Sequence, residues 1–483
     1  LIRLLRALGH DASYYIPDRL LEGYGPSGAA LLRLGEAGAQ LIVTVDCGAQ
    51  AFDALAQAHG AGLEVIVVDH HQCAPELPTA LALVNPNRLD ENAQGAAHGH
   101  LAAVGVAFLL GAALVRDLRG RGYFATCPEP DLLTLLDLVA LGTVADVAQL
   151  KGLNRAFVAQ GVKVMAARRN TGLSALIDVA GLKRAVQCSD LGFALGPRIN
   201  AGGRVGKSDL GVRLLTTEDT GEARALAAQL DQLNQERRAI EAEVLQAAEV
   251  MARGQGARAT ILVAAREWHP GVIGIVAGRL KDKFNRPVFV IAIDENGVGK
   301  GSGRSVTGVD LGALVLAAKA RGMLVAGGGH EMAAGVTLAQ DQIAALHDFL
   351  DVRVAALAGQ TVQTALNIDL LLAPAGLNPA LVQMLETGGP YGTGWPAPRI
   401  ATGPLRIIKA DLVGTDHVRT IMAGRDGASF KAMAFRQAVT PLGQALLGAP
   451  KDRALYAAGR IKIDDWGGRG ATELHLDDAL WAA

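Results

Sequence analysis

The chain has 483 residues, of which 50% are hydrophobic and 19% charged, with a formal net charge of −1. That length supplies roughly two to four domains with sizeable cores, and the near-neutral balance excludes nucleic-acid binding through bulk charge, leaving local patches as the only route. The four cysteines (Cys47, Cys73, Cys127, Cys188) include no C-x-x-C pair, which excludes a disulfide framework and a thiolate zinc site and fits a reducing cytoplasm.

In chain order, residues 1–8 read as a helix stopped by Gly9 and residues 12–16 as a short strand. A polar loop carrying Arg19 follows, then a helix near 27–37. The run Leu-Ile-Val-Thr-Val from Leu41 is a strand that stops on Asp46. After a helix near 51–59, the β-branched run Val65 to Val68 stops on Asp69, His70 and His71. Such a run reads as a parallel strand buried on both faces. A further strand, 80–84, ends at Asn85-Pro86-Asn87. This β-α-β-α-β alternation predicts a parallel sheet with right-handed crossovers. Open α/β sheets bind ligands at the carboxyl ends of their strands. Asp46 and the Asp69-His70-His71 triplet therefore bring carboxylates and imidazoles to one rim, a donor set that suits Mn²⁺ or Mg²⁺. The alternative is an acid in a turn and two histidines at a helix start.

Residues 101–115 are apolar but too short to span a bilayer and carry Gly105 and Gly111, so they read as a core helix. No signal-peptide pattern is visible. Residues 131–144 read as an apolar helix or helix pair leading to Asp146. An acid in apolar surroundings needs a partner, and a metal is one; a helix cap is another. Residues 196–204 (Gly-Pro-Arg-Ile-Asn-Ala-Gly-Gly-Arg) read as a glycine-rich turn in which the backbone, Arg198, Asn200 and Arg204 approach a phosphate.

Thr217 opens a helix of about 35 residues, about 50 Å long at the α-helical rise, with an apolar seam interrupted by Arg237. A second α/β unit follows, with strands at 259–264 and 287–293 around a helix at 272–284. The glycine-rich segments 299–305 and 326–335 place Ser302, Arg304 and His330 where they converge on one phosphate. From about Val362 the pattern becomes short strands (405–409, 418–423, 429–435, 454–463, 473–480), a small barrel of the OB type. Residues 399–483 hold 12 Lys and Arg against 9 Asp and Glu, a modest excess in a domain class that grips single strands.

Seven segments carry a resemblance, in one order along the chain: Val-Thr-Val-Asp-Cys-Gly, Val-Val-Asp-His-His, Leu-Gly-Thr-Val-Ala-Asp-Val, Gly-Pro-Arg-Ile-Asn-Ala-Gly-Gly-Arg, Glu-Trp-His-Pro-Gly-Val-Ile-Gly, Gly-Ser-Gly-Arg-Ser and Gly-Gly-Gly-His-Glu-Met-Ala-Ala-Gly. Together they resemble the DHH phosphoesterase superfamily, and within it the single-strand-specific 5′→3′ exonucleases. The resemblance implies an α/β fold: a parallel-sheet DHH catalytic domain (1–215), a connecting helix (216–252), a smaller α/β DHH-associated substrate-binding domain (253–358) and an OB-type β-barrel that binds nucleic acid (359–483). It implies two Mn²⁺ or Mg²⁺ ions, with Asp46 bridging them, His70 and Asp146 as ligands, and Asp69 and His71 orienting ligands and touching the scissile phosphate. Ser302, Arg304 and His330 match the second domain's signatures, and Arg19 and Arg204 match positions that hold a 5′-phosphate with Ser302 and Arg304.

These exonucleases begin with a strand ending in Asp-x-Asp-x-Asp-Gly, and no such segment lies between Leu1 and Asp46. The expectation is an N-terminal truncation that removes metal ligands, so that this chain by itself does not complete a two-metal site. The expected activity is metal-dependent 5′→3′ hydrolysis of single-stranded DNA to 5′-mononucleotides in DNA repair and recombination. Trp268 and Tyr391 are candidate stacking residues. The expected partners are single-stranded DNA with a 5′ end, single-strand-binding protein and a helicase, for a cytoplasmic monomer off the membrane. The alternatives are a DHH phosphoesterase of short oligonucleotides or cyclic dinucleotides, and a non-catalytic single-strand binding protein.

Overall fold

The computed structural model describes residues 1–18, 22–23, 25–357, 365–450, 453–464 and 470–482. The chain forms two compact units, one of residues 1–146, 160–186 and 190–363, the other of residues 147–159, 187–189 and 364–483. Arg19 lies outside the described residues.

The first unit opens on a parallel sheet of β1 (Leu41–Val45), β2 (Glu64–Val68) and β3 (Ala82–Val84), in that order. The helix Phe52–Gly60 makes the crossover from β1 to β2. Leu31, Ile42, Leu55, Ala58, Val65, Val67 and Leu83 share one core. In β2, Val65, Val67 and Val68 are buried, as a β-branched run demands. In β1 only Ile42 and Thr44 face inward, while Leu41, Val43 and Val45 stay exposed. Residues 12–16 form no strand. Side chains hold that segment instead: the Tyr15 hydroxyl donates to Glu22 at 2.7 Å and accepts from Arg33 at 2.8 Å.

A helical layer completes this half. A turn at Leu132–Leu135 leads into the helix Leu136–Ala145, whose C-cap is Asp146. Residues 196–204, expected as a turn, belong to the helix Gly196–Val205. Pro197 sits in its first turn, where a missing N–H does no harm. The glycines serve close packing: a Cβ on Gly202 would lie 3.0 Å from the Lys207 carbonyl and 3.3 Å from Leu230.

The long helix, Thr220–Gly254, has 35 residues and starts three residues later than Thr217. Asp219 caps it, accepting from Glu222 N at 2.6 Å. Leu226 and Leu230 are buried near its start, and Val244, Ala248 and Ala252 near its end pack against Ile261, Val276 and Val290. Between these apolar stretches the buried positions are polar. Arg237 donates to Glu241 at 2.6 Å and to Asn234 at 3.1 Å, and Arg279 pairs with the other Glu241 oxygen.

A second sheet follows: β4 (Ile261–Ala265), β5 (Val288–Ile293), β6 (Val298–Arg304), β7 (Ala326–His330) and β8 (Ala333–Ala339), in the order β4-β5-β6-β8-β7. Only the β4–β5 pair is parallel. The glycine-rich segments 299–305 and 326–335 thus lie largely in strands. Their glycines admit large neighbours: a Cβ on Gly303 would lie 2.5 Å from the Phe289 ring, and one on Gly301 2.6 Å from Val336.

In the second unit, β9 (Leu370–Leu372) flanks a barrel of β10 (Ile400–Val413), β11 (His417–Gly424), β12 (Ser429–Ala434), β13 (Leu455–Ile463) and β14 (Thr472–Trp481). The order runs β11-β12-β14-β13-β10, and β10 pairs back onto β11, so the five strands close. Ile400, Leu405, Met422, Phe430, Leu455 and Leu474 fill it. The segment 147–159 belongs to the same unit: Leu150 N donates to the Thr393 carbonyl at 2.7 Å, and the Arg155 guanidinium lies 4.4 Å from the Trp395 ring centroid. No described helix is long and apolar enough to cross a membrane.

The buried charge in the long helix gives a stability prediction. Glu241→Ala strands Arg237 without its carboxylate and lowers unfolding free energy by about 3–5 kcal/mol, while replacing Arg237, Glu241 and Arg279 together with apolar residues recovers most of it. Urea denaturation followed by circular dichroism measures both.

Candidate active site

Three backbone strands and one helix end aim the acids and histidines at one place. Asp46 N donates to Val68 O at 3.0 Å, and Asp69 N donates to Val84 O at 3.1 Å, so the parallel ladder continues one residue past each strand. Asp46 then turns sharply, at a φ of 61°, a conformation that Asp tolerates better than most residues. Gly48, at a φ of 114°, completes the turn where a Cβ would lie 2.8 Å from Thr44 Oγ1.

Asp69 is 1% exposed. Its Oδ2 accepts from Ala49 N at 2.9 Å, and its Oδ1 accepts from His70 N at 2.7 Å and faces His71 Nδ1 at 2.7 Å. Burial pushes this carboxyl up, but the bonds from His71, Ala49 and His70 outweigh it and bring it down to about 2. The same bond holds the His71 imidazole above its ordinary value.

His70 Nδ1 lies 2.9 Å from the Leu101 carbonyl. Only a protonated Nδ1 can bond there, so in the neutral ring Nε2 carries the lone pair. Nε2 is buried, lies 3.3 Å from Asp46 Oδ1 and 3.8 Å from Asp146 Oδ2, and makes no well-aligned hydrogen bond. Burial lowers the proton affinity of His70, and the two carboxylates raise it beyond the ordinary value. Asp146 is itself pushed up, by burial first and by Asp46. One ligand atom from each of Asp46, His70 and His71 lies within 4.8 Å of the others. A buried imidazole lone pair facing two carboxylates, one of them half-desolvated, fits a hard divalent cation. The structure thus gathers Asp46, His70, His71 and Asp146, whereas the Asp69 oxygens point back into the loop.

A second group lies in the same unit, around the start of the helix Ile273–Phe284. Ser302 and Arg304 are two apart on β6 and share a face, with Arg304 Nη1 3.1 Å from Ser302 Oγ. A Cβ on Gly274 would lie 3.0 Å from Ser302 Oγ and 3.2 Å from Arg304 Nη2, so that face abuts the helix N-terminus. His330 is in register with Ala333, which is in register with Arg304. Arg204 Nη1 donates to Gly271 O at 3.0 Å. A cavity of about 130 Å³ beside it is lined by Asp18, Gly203, Arg204, Val205, Gly206, Ser208 and His269. Burial draws the Arg304 guanidinium down from its ordinary value. Arginines with a helix N-terminus make an anion site.

Not every expected residue joins these groups. Arg198 is held by Asp231 at 2.8 Å and by the Ala194 carbonyl, both near-buried contacts, because its helix packs on the long helix. Asn200 is exposed on that helix. Trp268 is 9% exposed and belongs to the apolar core with Val244 and Val276, so it offers no stacking face. The Tyr391 hydroxyl donates to the Leu385 carbonyl.

Comparison with known proteins agrees with this frame. The chain matches the DHH family N-terminal domain over residues 1–143, the DHHA1 domain over 258–356 and the RecJ OB domain over 368–478. It is 37% identical to the single-stranded-DNA-specific exonuclease RecJ of Escherichia coli, over 99% of this chain and 83% of that protein. The chain belongs to the RecJ family. Its structure superposes on RecJ from Thermus thermophilus in complex with Mn²⁺ with a TM-score of 0.81 at 29% identity, covering 100% of this chain and 66% of that one. A Mg²⁺ complex of the Thermus protein matches with a TM-score of 0.68 at 29% identity, over 94% of this chain and 65% of that one.

Within this RecJ-family site, sequence reasoning missed the residues that hold the histidines still. Asn87 Nδ2 donates to His70 O at 2.6 Å and to Gly99 O at 3.0 Å, and Asn85 Nδ2 donates to His71 O at 2.8 Å. Their signal was the Asn-Pro-Asn that ends β3, next to the strand bearing the triplet. His269, whose Nδ1 accepts from Gly271 N at 3.0 Å, was also missed, although it stands inside the Glu-Trp-His-Pro-Gly-Val-Ile-Gly segment. Asn87→Ala frees the His70 backbone and weakens Mn²⁺ binding about 10- to 100-fold, measured by titration calorimetry, with the melting temperature as control for folding.

Proposed function

We propose that the chain is a metal-dependent 5′→3′ exonuclease that hydrolyses single-stranded DNA to 5′-mononucleotides. One observation carries the reading: the buried His70 Nε2 set between Asp46 and Asp146, at 3.3 and 3.8 Å, in a member of the RecJ family. In this proposal Asp46, His70 and Asp146 hold Mn²⁺ or Mg²⁺, with two ions in the complete site. A divalent ion held there would supply Lewis acidity, activating water and offsetting charge on the departing oxygen. The protein's part is orientation. Asp69 fixes the His71 ring through Nδ1 and ties the loop to Ala49, and in this scheme His71 would touch the scissile phosphate. The Leu101 carbonyl fixes the His70 tautomer.

Direction follows from the second group. Arg204, Ser302 and Arg304 around the N-terminus of the helix Ile273–Phe284, together with Arg19, would hold a terminal 5′-phosphate, with His330 as a further substrate-binding residue, which would set the first linkage at the metal site. Arg198, paired with Asp231, anchors the helix Gly196–Val205 to the long helix in this scheme, and Asn200 lies exposed on the same helix. The proposed division into a DHH domain (1–215), a connecting helix (216–252), a substrate-binding domain (253–358) and an OB domain (359–483) assigns chemistry to the first and grip on the strand to the last two. Single-strand-binding protein and a helicase as partners, and a monomer in the cytoplasm, belong to the same proposal and rest on the family alone.

The test uses 3′-labelled single-stranded DNA with a 5′-phosphate and Mn²⁺. This chain is compared with a form extended upstream by an Asp-x-Asp-x-Asp-Gly segment; the expected result is stepwise shortening from the 5′ end by the extended form, none on blunt duplex, and none after chelation. Asp46→Ala abolishes cleavage while the circular dichroism spectrum and melting temperature stay those of the parent. Undiminished cleavage by that variant would remove Asp46 from the metal site.

A further inference from the structure

Phe193 is 87% exposed, the most exposed large hydrophobic side chain among the described residues. Single exposed apolar residues are ordinary, but this one is rigidly presented. It lies at the centre of a π-helical turn, Leu191–Leu195, whose two end residues are fully buried. Such turns interrupt a helix at some cost and recur at functional sites.

The turn is seated on the helix that ends at Asp146. A Cβ on Gly192 would lie 3.4 Å from Val144 Cγ1, and one on Gly196 would lie 3.4 Å from Ala145 Cβ. Val144 and Ala145 are the two residues before Asp146, the carboxylate that faces His70 Nε2. The turn that carries Phe193 therefore packs on the last residues of the helix whose C-cap is Asp146, with the Phe193 ring out in solvent. Other aromatics are engaged elsewhere: Trp268 in a core and Trp395 under Arg155.

We propose that Phe193 is a stacking residue whose ring receives an unpaired nucleobase of the single-stranded DNA substrate, close to the linkage being cut. This rests on the exonuclease reading above. Every base has a π-face, so one ring grips any sequence. In a duplex both faces of an internal base are already stacked on neighbours, so the contact favours a single strand. At 87% exposure the ring adds little to folding and is open to a ligand on the surface.

The experiment compares the full chain with Phe193→Ala, Phe193→Leu and Phe193→Trp. Binding is read by fluorescence anisotropy on a labelled oligonucleotide in EDTA, and cleavage on 3′-labelled strands in Mn²⁺. Each is repeated on a strand whose 5′-terminal nucleotides are abasic. The expected result is about 5- to 100-fold weaker binding for the Ala and Leu variants, the range that one base–aromatic stack supplies. KM rises more than kcat falls, and Trp restores the parent values. On the abasic strand all four forms bind alike. Melting temperatures match throughout, since the ring is not part of a core.

Parent-like binding and KM for Ala and Leu would overturn the proposal, as would an equal deficit on the abasic strand. A change of oligomeric state in Phe193→Ala, seen by sedimentation with DNA affinity intact, would assign the ring to contact with a second copy instead. If the parent chain cleaves and the variants match it, this inference alone falls. If the parent neither binds nor cleaves the strand, it falls with the exonuclease reading.

Discussion

The site depends on one buried carboxylate. Asp69 is 1% exposed and uses both oxygens, one on the Ala49 amide, the other on the His70 amide and the His71 ring. These bonds tie the loop after β1 to the loop after β2. Removing the carboxylate would leave buried donors unsatisfied in both loops at once, the expensive side of the hydrogen-bond balance. Asn85 and Asn87 extend the same tie to the loop after β3 through the carbonyls of His71 and His70. Three parallel strands thus end in loops that cannot move independently, and the groups that touch chemistry are carried by that frame.

Close packing does for Ser302 and Arg304 what hydrogen bonds do for the histidine-bearing loops. Gly301 and Gly303 let β6 lie against Val336 and Phe289, and Gly274 lets the helix N-terminus lie on Ser302 and Arg304. A side chain at Gly301 or Gly303 would crowd the neighbouring strands, and one at Gly274 would hold strand and helix apart. The glycines of 299–305 are spacers in a sheet, and Arg304 gains its position from the sheet's register. Gly202 has the same use beside Leu230, which explains why a glycine-rich, arginine-flanked run can be a helix.

The long helix connects these two groups within one unit, and its mixed burial shows how. Its ends bury aliphatic side chains, while Asn234, Arg237 and Glu241 are buried at its middle. Charged pairs of this kind add little net stability compared with apolar packing but penalise a wrong register heavily. A 35-residue helix with a uniform apolar seam could slide by a turn; here Glu241, braced by Arg237 on its own helix, pairs with Arg279 on the neighbouring helix, and a slide would break that pair.

The sequence by itself determined the alternation of strands and helices, the acids at the strand ends and the closed barrel's strands, because these rest on periodicity and on residue type at element ends. It also placed Asp46, His70 and Asp146 in one set through their motifs. The tertiary structure decided what periodicity cannot reach. It made residues 196–204 a helix and residues 299–304 a strand, since glycine runs report close approach without saying to what. It placed Arg198 on Asp231 and Trp268 in a core, because neither an ion-pair partner 33 positions away nor a burial partner is visible in a local window. It showed that residues 12–16 are held by Tyr15, Glu22 and Arg33 rather than by a ladder. And it exposed Phe193, whose apolar character alone would have sent it to the interior, had the π-helical turn not rotated it outward between two buried leucines.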